Sequence, residues 1–452
     1  MNHQGKTDEP RQKRPDIRSA ASNPHALDTP AVRFGMVALA LAVGFVVGLV
    51  VFLLLNASGW LTSLVWDGLG GTLGVPWFPL ATCTIGGLII GVWTLATNDR
   101  VYPLEHVLGT FKRTGSYRTN GSVKPVVSFL LPLVFGGSVG FEAGLTGIIT
   151  SCCCWIRDKL KAAGLRAAAV ADVTIAASMS AIFGTPFAGI VAGAESAPGT
   201  GLSDTDAYDM RRNVKLVLYT AAAVGAFGGI SLLSELFGTT GGLPRFEAIQ
   251  ASYAELLWAL PCIVAAYVLT LVFHGSSTLF GRLKTRFDGI PLATVICPII
   301  AGIIMGSVAM AFPYVLFPGE TQSEELMGMW MTWSAGALLA TGVLKAAITP
   351  MCLNMGWMGG SFFPSIFAGV ACGYGLAAFT GADPMLMVTV TTAAHLAGVT
   401  RKPLLSLAIL VLCFPLSGII WSGLAAVVGG SLPIPHALLG EQEQAVTDSK
   451  RR

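Results

Sequence analysis

Gly136-Gly137-Ser138-Val139-Gly140-Phe141-Glu142-Ala143-Gly144-Leu145 is the stretch that decides how this chain is read. It follows the apolar residues 129–135 and precedes a second apolar run, 146–155. A carboxylate here lies at the depth of a membrane, with glycines on both sides. Ionisable residues inside a bilayer are costly and mark pathways. The glycines let backbone approach closely. A helix beginning near Glu142 would aim free N–H groups and its positive end into the gap. The plainer alternative is a glutamate that only caps its own helix.

Composition supports the membrane setting. Of 452 residues, 53% are hydrophobic and 12% are charged, about half the charge of an ordinary soluble domain. Mean hydropathy is +0.67. Between Gly35 and Asn98 the only charge is Asp67, and from Pro403 to Gly440 there is none. A water-facing surface cannot be built from such stretches, so they belong in lipid. The net charge of +3 indicates no nucleic-acid partner. The nine cysteines form no C-x-x-C pair, and the six histidines show no metal-ligand spacing. No nucleophile–base pair or nucleotide motif is present, so the expectation is no metal, no cofactor and no enzyme.

Residues 1–32 read as a polar, cytoplasmic tail with basic residues before the first apolar run. Residues 433–452 read as a short tail. Between them lie apolar runs near 34–56, 76–97, 125–151, 167–195, 214–237, 252–280, 290–312, 331–353, 361–380, 386–400 and 403–430. Polar connections are read at 98–124, 198–213, 238–250, 281–289 and 318–328. Many runs have the wrong length for one span or carry internal Gly or Pro, which points to tilted, re-entrant and broken helices. A weak repeat is visible. Gly136-Gly137-Ser138 recurs as Gly359-Gly360-Ser361, 223 residues on, and a Pro-initiated helix at Pro186 recurs at Pro403, 217 residues on. Two halves, 33–250 and 251–432, follow, and interrupted helices at matching places point to a midplane site.

The second such place is Gly356-Trp357-Met358-Gly359-Gly360-Ser361-Phe362-Phe363-Pro364. Pro near a first helical turn leaves nearby N–H groups free. Ser361 and Phe362 can offer backbone donors to an anion with no positive side chain, which suits an ion that must also be released. An ordinary Gly-rich turn into a packed helix is the alternative.

Together these residues resemble the CLC family of chloride channels and transporters. Gly360-Ser361-Phe362-Phe363-Pro364 matches its G-x-F-x-P pattern. Gly140-Phe141-Glu142-Ala143-Gly144 resembles the stretch that carries its gating glutamate. The run from Phe183 through Pro186-Phe187-Ala188-Gly189 to Glu195 resembles its N-x-P-L-A-G helix. Arg401-Lys402-Pro403-Leu404 resembles a later R-x-P-L helix, and Lys345 a lysine on the helix before G-x-F-x-P. The order and spacing agree over roughly 33–432.

The resemblance implies an all-α, polytopic membrane protein of two inverted repeats, acting as a homodimer; the lack of organelle-targeting features in a lean chain leads to the expectation of a prokaryotic plasma membrane. It implies conduction of a small inorganic anion, chloride first, through a pore gated by Glu142. Ser361, Phe362, Gly140 and Ala143 would contact the anion. Proton-coupled exchange, or another small anion such as fluoride, is the alternative. The departures bear on mechanism. Asn98-Asp99-Arg100-Val101-Tyr102-Pro103 replaces the family's serine-bearing G-S-G-I-P, Phe141 replaces the basic residue before the glutamate, and no tyrosine follows Tyr374 to meet the anion. The proton-relay position falls on Ser196, or on Glu195 if the register slips by one. Serine there favours a passive channel.

Overall fold

The computed structural model describes residues 30–99, 101–114, 116–119, 123–162, 173–196, 212–238, 244–250, 255–287, 289–290, 292–414 and 416–438. Residues 1–29 of the expected N-terminal tail, and 439–452 of the expected C-terminal one, lie outside these.

The helices follow one another as α1 (Pro30–Ser63), α2 (Phe78–Thr97), α3 (Leu104–Thr114), α4 (Lys124–Val134), α5 (Glu142–Ala162), α6 (Thr174–Phe183), α7 (Pro186–Ser196) and α8 (Arg212–Phe237) in the first half. The second half holds α9 (Ala259–Thr285), α10 (Ala293–Ala309), α11 (Glu320–Met329), α12 (Ala335–Asn354), α13 (Phe362–Thr380), α14 (Pro384–Thr400), α15 (Pro403–Leu410) and α16 (Ile419–Ser431). No strand occurs among the described residues, only an isolated antiparallel bridge between Gly140 and Gly360.

Six of these segments are long and apolar enough to cross a membrane, and others are apolar but shorter. α1 runs for 34 residues, about 50 Å at 1.5 Å per residue, so it must tilt across a ~30 Å hydrocarbon core. The 167–195 run is broken as expected. α6 ends at Gly184, whose φ of 62° is left-handed, and Pro186 starts α7, where a missing N–H costs nothing. Pro403 starts α15 in the same way.

Two stretches differ from the sequence reading. The polar connection 98–124 contains α3, which buries Leu104, Val107, Leu108 and Phe111. That helical spacing gives one apolar face inside a polar composition. The connection 318–328 is largely α11, and the run 403–430 divides into α15 and α16, a break of the kind expected of these runs.

Glycine sets the packing. A Cβ on Gly44 or Gly48 of α1 would strike the Ala222 or Ala226 carbonyl of α8, and one on Gly225 of α8 would strike Leu41. The two helices therefore touch backbone to backbone, and the matching numbers show that they run parallel. α2 and α10 pack equally closely but antiparallel, Gly87 on Pro298 and Gly302 on Cys83. α13 is central, with 83% of its most apolar window buried inside the protein.

These directions give the site two sides. The parallel α1 and α8 end on the same face, which is the outer one under the expectation of a cytoplasmic N-terminus. Trp66, just past α1, donates its indole N–H to the Val134 carbonyl at 2.9 Å and packs edge-on to Phe317 at 5.1 Å. The turns at 134–137 and 313–317 therefore lie on the outer side.

Candidate functional site

The two Gly-Gly-Ser loops meet. Gly140 N–H donates to the Gly360 carbonyl and Gly360 N–H to that of Gly140, both at 2.7 Å. Beyond this clasp the chain turns into α5 on one side and α13 on the other, so two helix N-termini converge from opposite halves. Ser138 and Thr349 hydroxyls, 3.1 Å apart, tie the first loop to α12.

Glu142, the first residue of α5, is fully buried. Its Oε1 accepts the Phe362 N–H of α13 at 2.7 Å, and its Oε2 has no hydrogen-bond partner. The carboxylate thus occupies the backbone donor expected for an anion. It does not merely cap its own helix, since its partner is 220 residues away. The glycines make the space: a Cβ on Gly140 would fall on Glu142 Oε2, and one on Gly360 on Oε1.

This changes the role of one expected contact. Gly140 cannot give an anion its N–H, because the Gly360 carbonyl already takes it. Gly140 instead leaves room for the carboxylate. Ser361 is the N-cap of α13 and makes no side-chain capping bond, so this loop works through backbone. Ala143 is buried beside Glu142. Glu195 is half-buried near the end of α7, while the Ser196 side chain falls outside the described residues.

Aromatic rings enclose the site. Phe141 lies 4.1 Å from Phe363, and Phe183 stacks on Phe363 at 5.1 Å with rings 5° from parallel. Phe183 also walls a cavity of about 210 Å³ toward the outer ends of α8, with Ser231, Ser234 and Arg245 on its lining. Arg245 makes no ion pair with any described residue, so its charge is available to attract anions.

On the inner side a cavity of about 10 Å³ lies against the first turns of α5, at Ala143, Gly144 and Gly147. Tyr102, Tyr117 and Thr119 supply its hydroxyls. The Tyr117 hydroxyl is 3.8 Å from where a Gly147 Cβ would sit. The space admits about one water-sized occupant. The Tyr117 strip is pinned to α5: Thr119 N–H donates to Ser151 Oγ at 2.9 Å, and Arg118 pairs with Asp158. The hydrogen bond from Arg118 holds the Asp158 carboxyl below the ordinary carboxylate value.

Lys345 of α12 is fully buried. Its Nζ donates to the carbonyls of Val315 at 3.1 Å and Leu316 at 2.8 Å, and also to those of Tyr314 and Phe317. The Phe367 ring lies 5.3 Å from Nζ. Phe317 N–H in turn donates to the Gly136 carbonyl at 3.1 Å. The lysine therefore holds the 313–317 turn against the loop that leads to Glu142. Arg401 caps α14 in the left-handed region and donates to the Gly430 and Leu432 carbonyls, a scaffold role. Among the described residues no group of His, Cys, Asp and Glu is arranged to hold a metal.

Fold and site define a polytopic membrane protein in which two sets of broken helices converge on a buried carboxylate. The chain belongs to the CLC family: the family model described as voltage gated chloride channel matches residues 104–432. It is 25% identical over 419 residues to "Chloride channel protein CLC-e" of Arabidopsis thaliana, covering 83% of this chain and 56% of that one. It is 24% identical over 347 residues to "Putative ion-transport protein YfeO" of Escherichia coli O17:K52:H18, covering 74% and 77%. The chain thus spans just over half the length of CLC-e. The fold is that of a CLC-type fluoride/proton antiporter (TM-score 0.66, 15% identity, 89% and 96% of the two chains). A slow cyanobacterial Cl-/H+ antiporter shares it as well (TM-score 0.65, 16% identity, 91% and 97%).

Proposed function

We propose that this protein carries a small inorganic anion, chloride first, across a prokaryotic plasma membrane as a homodimer, and that Glu142 gates the pathway. The observation that carries this reading is the Phe362 N–H donating to Glu142 Oε1. A carboxylate seated on a backbone donor in a buried, glycine-cleared slot is an anion mimic. When it is ionised the pathway is shut; protonated or displaced, it frees the donors at the start of α13 for a permeant ion. The antiparallel Gly140–Gly360 bridge suits two inverted halves, 33–250 and 251–432.

The departures from the family pattern find substitutes in space. Arg245 supplies the outer positive charge that Phe141 does not. Tyr102 and Tyr117 put hydroxyls on the inner cavity where the family serine and late tyrosine are missing. Ser196 at the relay position favours passive conduction, with fluoride as the alternative ion. Coupled exchange is the second reading, supported by the half-buried Glu195 one residue earlier.

Purified protein in liposomes tests both. Anion-selective efflux is expected for chloride, nitrate, bromide or fluoride, and none would refute transport. A chloride gradient should drive no protons uphill, as read by a pH dye. Uphill movement would refute the channel reading and direct attention to Glu195→Gln.

A further inference from the structure

A second carboxyl faces the gate from the outer side. Glu320 opens α11, directly after Gly319, whose φ is 110°. Two contacts fix this corner. Phe317 N–H donates to the Gly136 carbonyl, and the position a Gly319 Cβ would take is 2.5 Å from the Phe367 side chain of α13. Glu320 is thereby clamped between the loop that leads into Glu142 and the helix that holds it. Its Oε2 is buried without a hydrogen-bond partner, as is Oε2 of Glu142, and the Glu142 carboxyl lies close enough to act electrostatically on Glu320. Two buried, unpartnered carboxyl oxygens within each other's field are a poor arrangement for two negative charges and a good one for a shared proton.

We propose that Glu320 is the outer proton donor to Glu142, and that the two form a carboxyl pair holding one proton at the outer mouth. This rests on the reading of Glu142 as the gate. The transfer is a plain acid–base step. The Glu320 O–H bond breaks and an O–H bond forms on Glu142, whose hold on the Phe362 N–H weakens. Glu320 then takes a proton from water on the outer side. The other groups around the pair are placed differently. Glu324 lies exposed on α11 itself, and Glu105 of α3 acts on Glu142 from the inner side. Lys345 of α12 directs its Nζ at the carbonyls of 314–317. Glu320 is thus the acid joined to the gate from the outer turn.

The experiment is initial chloride efflux from proteoliposomes over a series of external pH values. The proteins are wild type, Glu142→Gln, Glu320→Gln, Glu320→Asp and the double glutamine variant. Neutralising Glu320 removes a negative neighbour, so the activation midpoint of Glu320→Gln should move about one pH unit to the acid side. Its low-pH plateau should stay unchanged. Glu320→Asp, which keeps the charge in the first turn of α11, should restore the wild-type midpoint. In the Glu142→Gln background, Glu320→Gln should change nothing. A Glu320→Gln profile superimposed on wild type, while Glu142→Gln flattens the response, overturns the pair. A Glu320→Asp shift as large as that of Gln assigns the effect to packing and overturns it too. If Glu142→Gln keeps the wild-type pH response, the gate reading itself fails. Infrared spectra of wild type across the same pH range need no variant. Carboxylic C=O absorption that grows in two separate pH steps supports the pair, and growth in a single step refutes it.

Discussion

Gly140 and Gly360, 220 residues apart, exchange two 2.7 Å backbone hydrogen bonds, and the Glu142 carboxylate lies in the space their missing side chains leave. Each loop satisfies the other's polar groups at membrane depth, where an unpaired N–H or C=O is expensive. The clasp engages the Gly140 and Gly360 N–H groups, so the donor that the carboxylate takes lies two residues further on, at Phe362 in the first turn of α13.

Glu142→Gln keeps the shape and removes the charge. Chloride efflux should be high at all external pH values, whereas wild-type efflux should rise as external pH falls, because a protonated carboxyl stops competing with the anion. Liposome efflux of the two proteins side by side checks this; equal pH dependence would return Glu142 to a structural role.

Gly360→Ala puts a methyl where Glu142 Oε1 lies. The obstacle is the end of a flexible side chain, so the carboxylate should swing out and the protein stay folded. Basal efflux at neutral pH should rise toward that of Glu142→Gln. Gly359→Ala instead meets Val139 at 2.7 Å and the Gly140 carbonyl at 2.8 Å. It should lower thermal stability without opening the pathway.

Lys345→Met strips the carbonyls of 314–317 of a buried donor. Hydrogen bonds from a charged group and the stranded acceptors together suggest a loss of about 3 kcal/mol. Thermal unfolding in detergent measures it, and a variant as stable as wild type would show that the turn holds without the lysine.

Tyr117→Phe removes one hydroxyl from the inner cavity and leaves the ring in place. Loss of one hydrogen bond to an anion, about 1.5 kcal/mol, raises the half-saturating chloride concentration roughly 10-fold. An unchanged concentration dependence would exclude Tyr117 from the pathway.

The Arg118–Asp158 pair steadies the strip that carries Tyr117. Asp158 titrates below its ordinary value in the folded protein. The pair therefore stabilises at neutral pH, and its contribution fades as pH falls below the carboxylate range. With side-chain exposures of 67% and 31%, it is worth less than about 1 kcal/mol. Asp158→Asn should cost that small amount at pH 7 and progressively less as pH falls below the ordinary carboxylate value, by thermal unfolding across that range.

What was legible in the sequence was whatever is rare in an apolar background. A carboxylate among glycines inside a hydrophobic run stands out, and Glu142 does; so does a Gly-Gly-Ser turn before Phe-Phe-Pro. Glu320 was hidden because Glu320, Glu324 and Glu325 look like any solvated charge run, and its burial comes from Gly319 and Phe317 folding it inward. Tyr117 lay in a stretch read as a connection, since α3 hides its apolar face in a polar average. Phe183 was legible only as the first residue of the Pro186 motif, and nothing local foretold that Phe363 of the other half would stack on it. The engagement of the Gly140 N–H required knowing which loop faces it, and local spacing does not reach that far.

The bond between Glu142 and the Phe362 N–H also bears on how the protein is made. At about 5–20 residues per second, the 220 residues separating the partners mean roughly 10–45 s of synthesis. Throughout that interval the glutamate has been delivered toward lipid and its acceptor site does not exist. The first half must wait beside the insertion machinery, or keep Glu142 as a neutral acid, until α13 arrives. Truncation between the two loops would thus leave a nascent chain with a stranded acid, a mark by which membrane quality control can recognise an unfinished molecule.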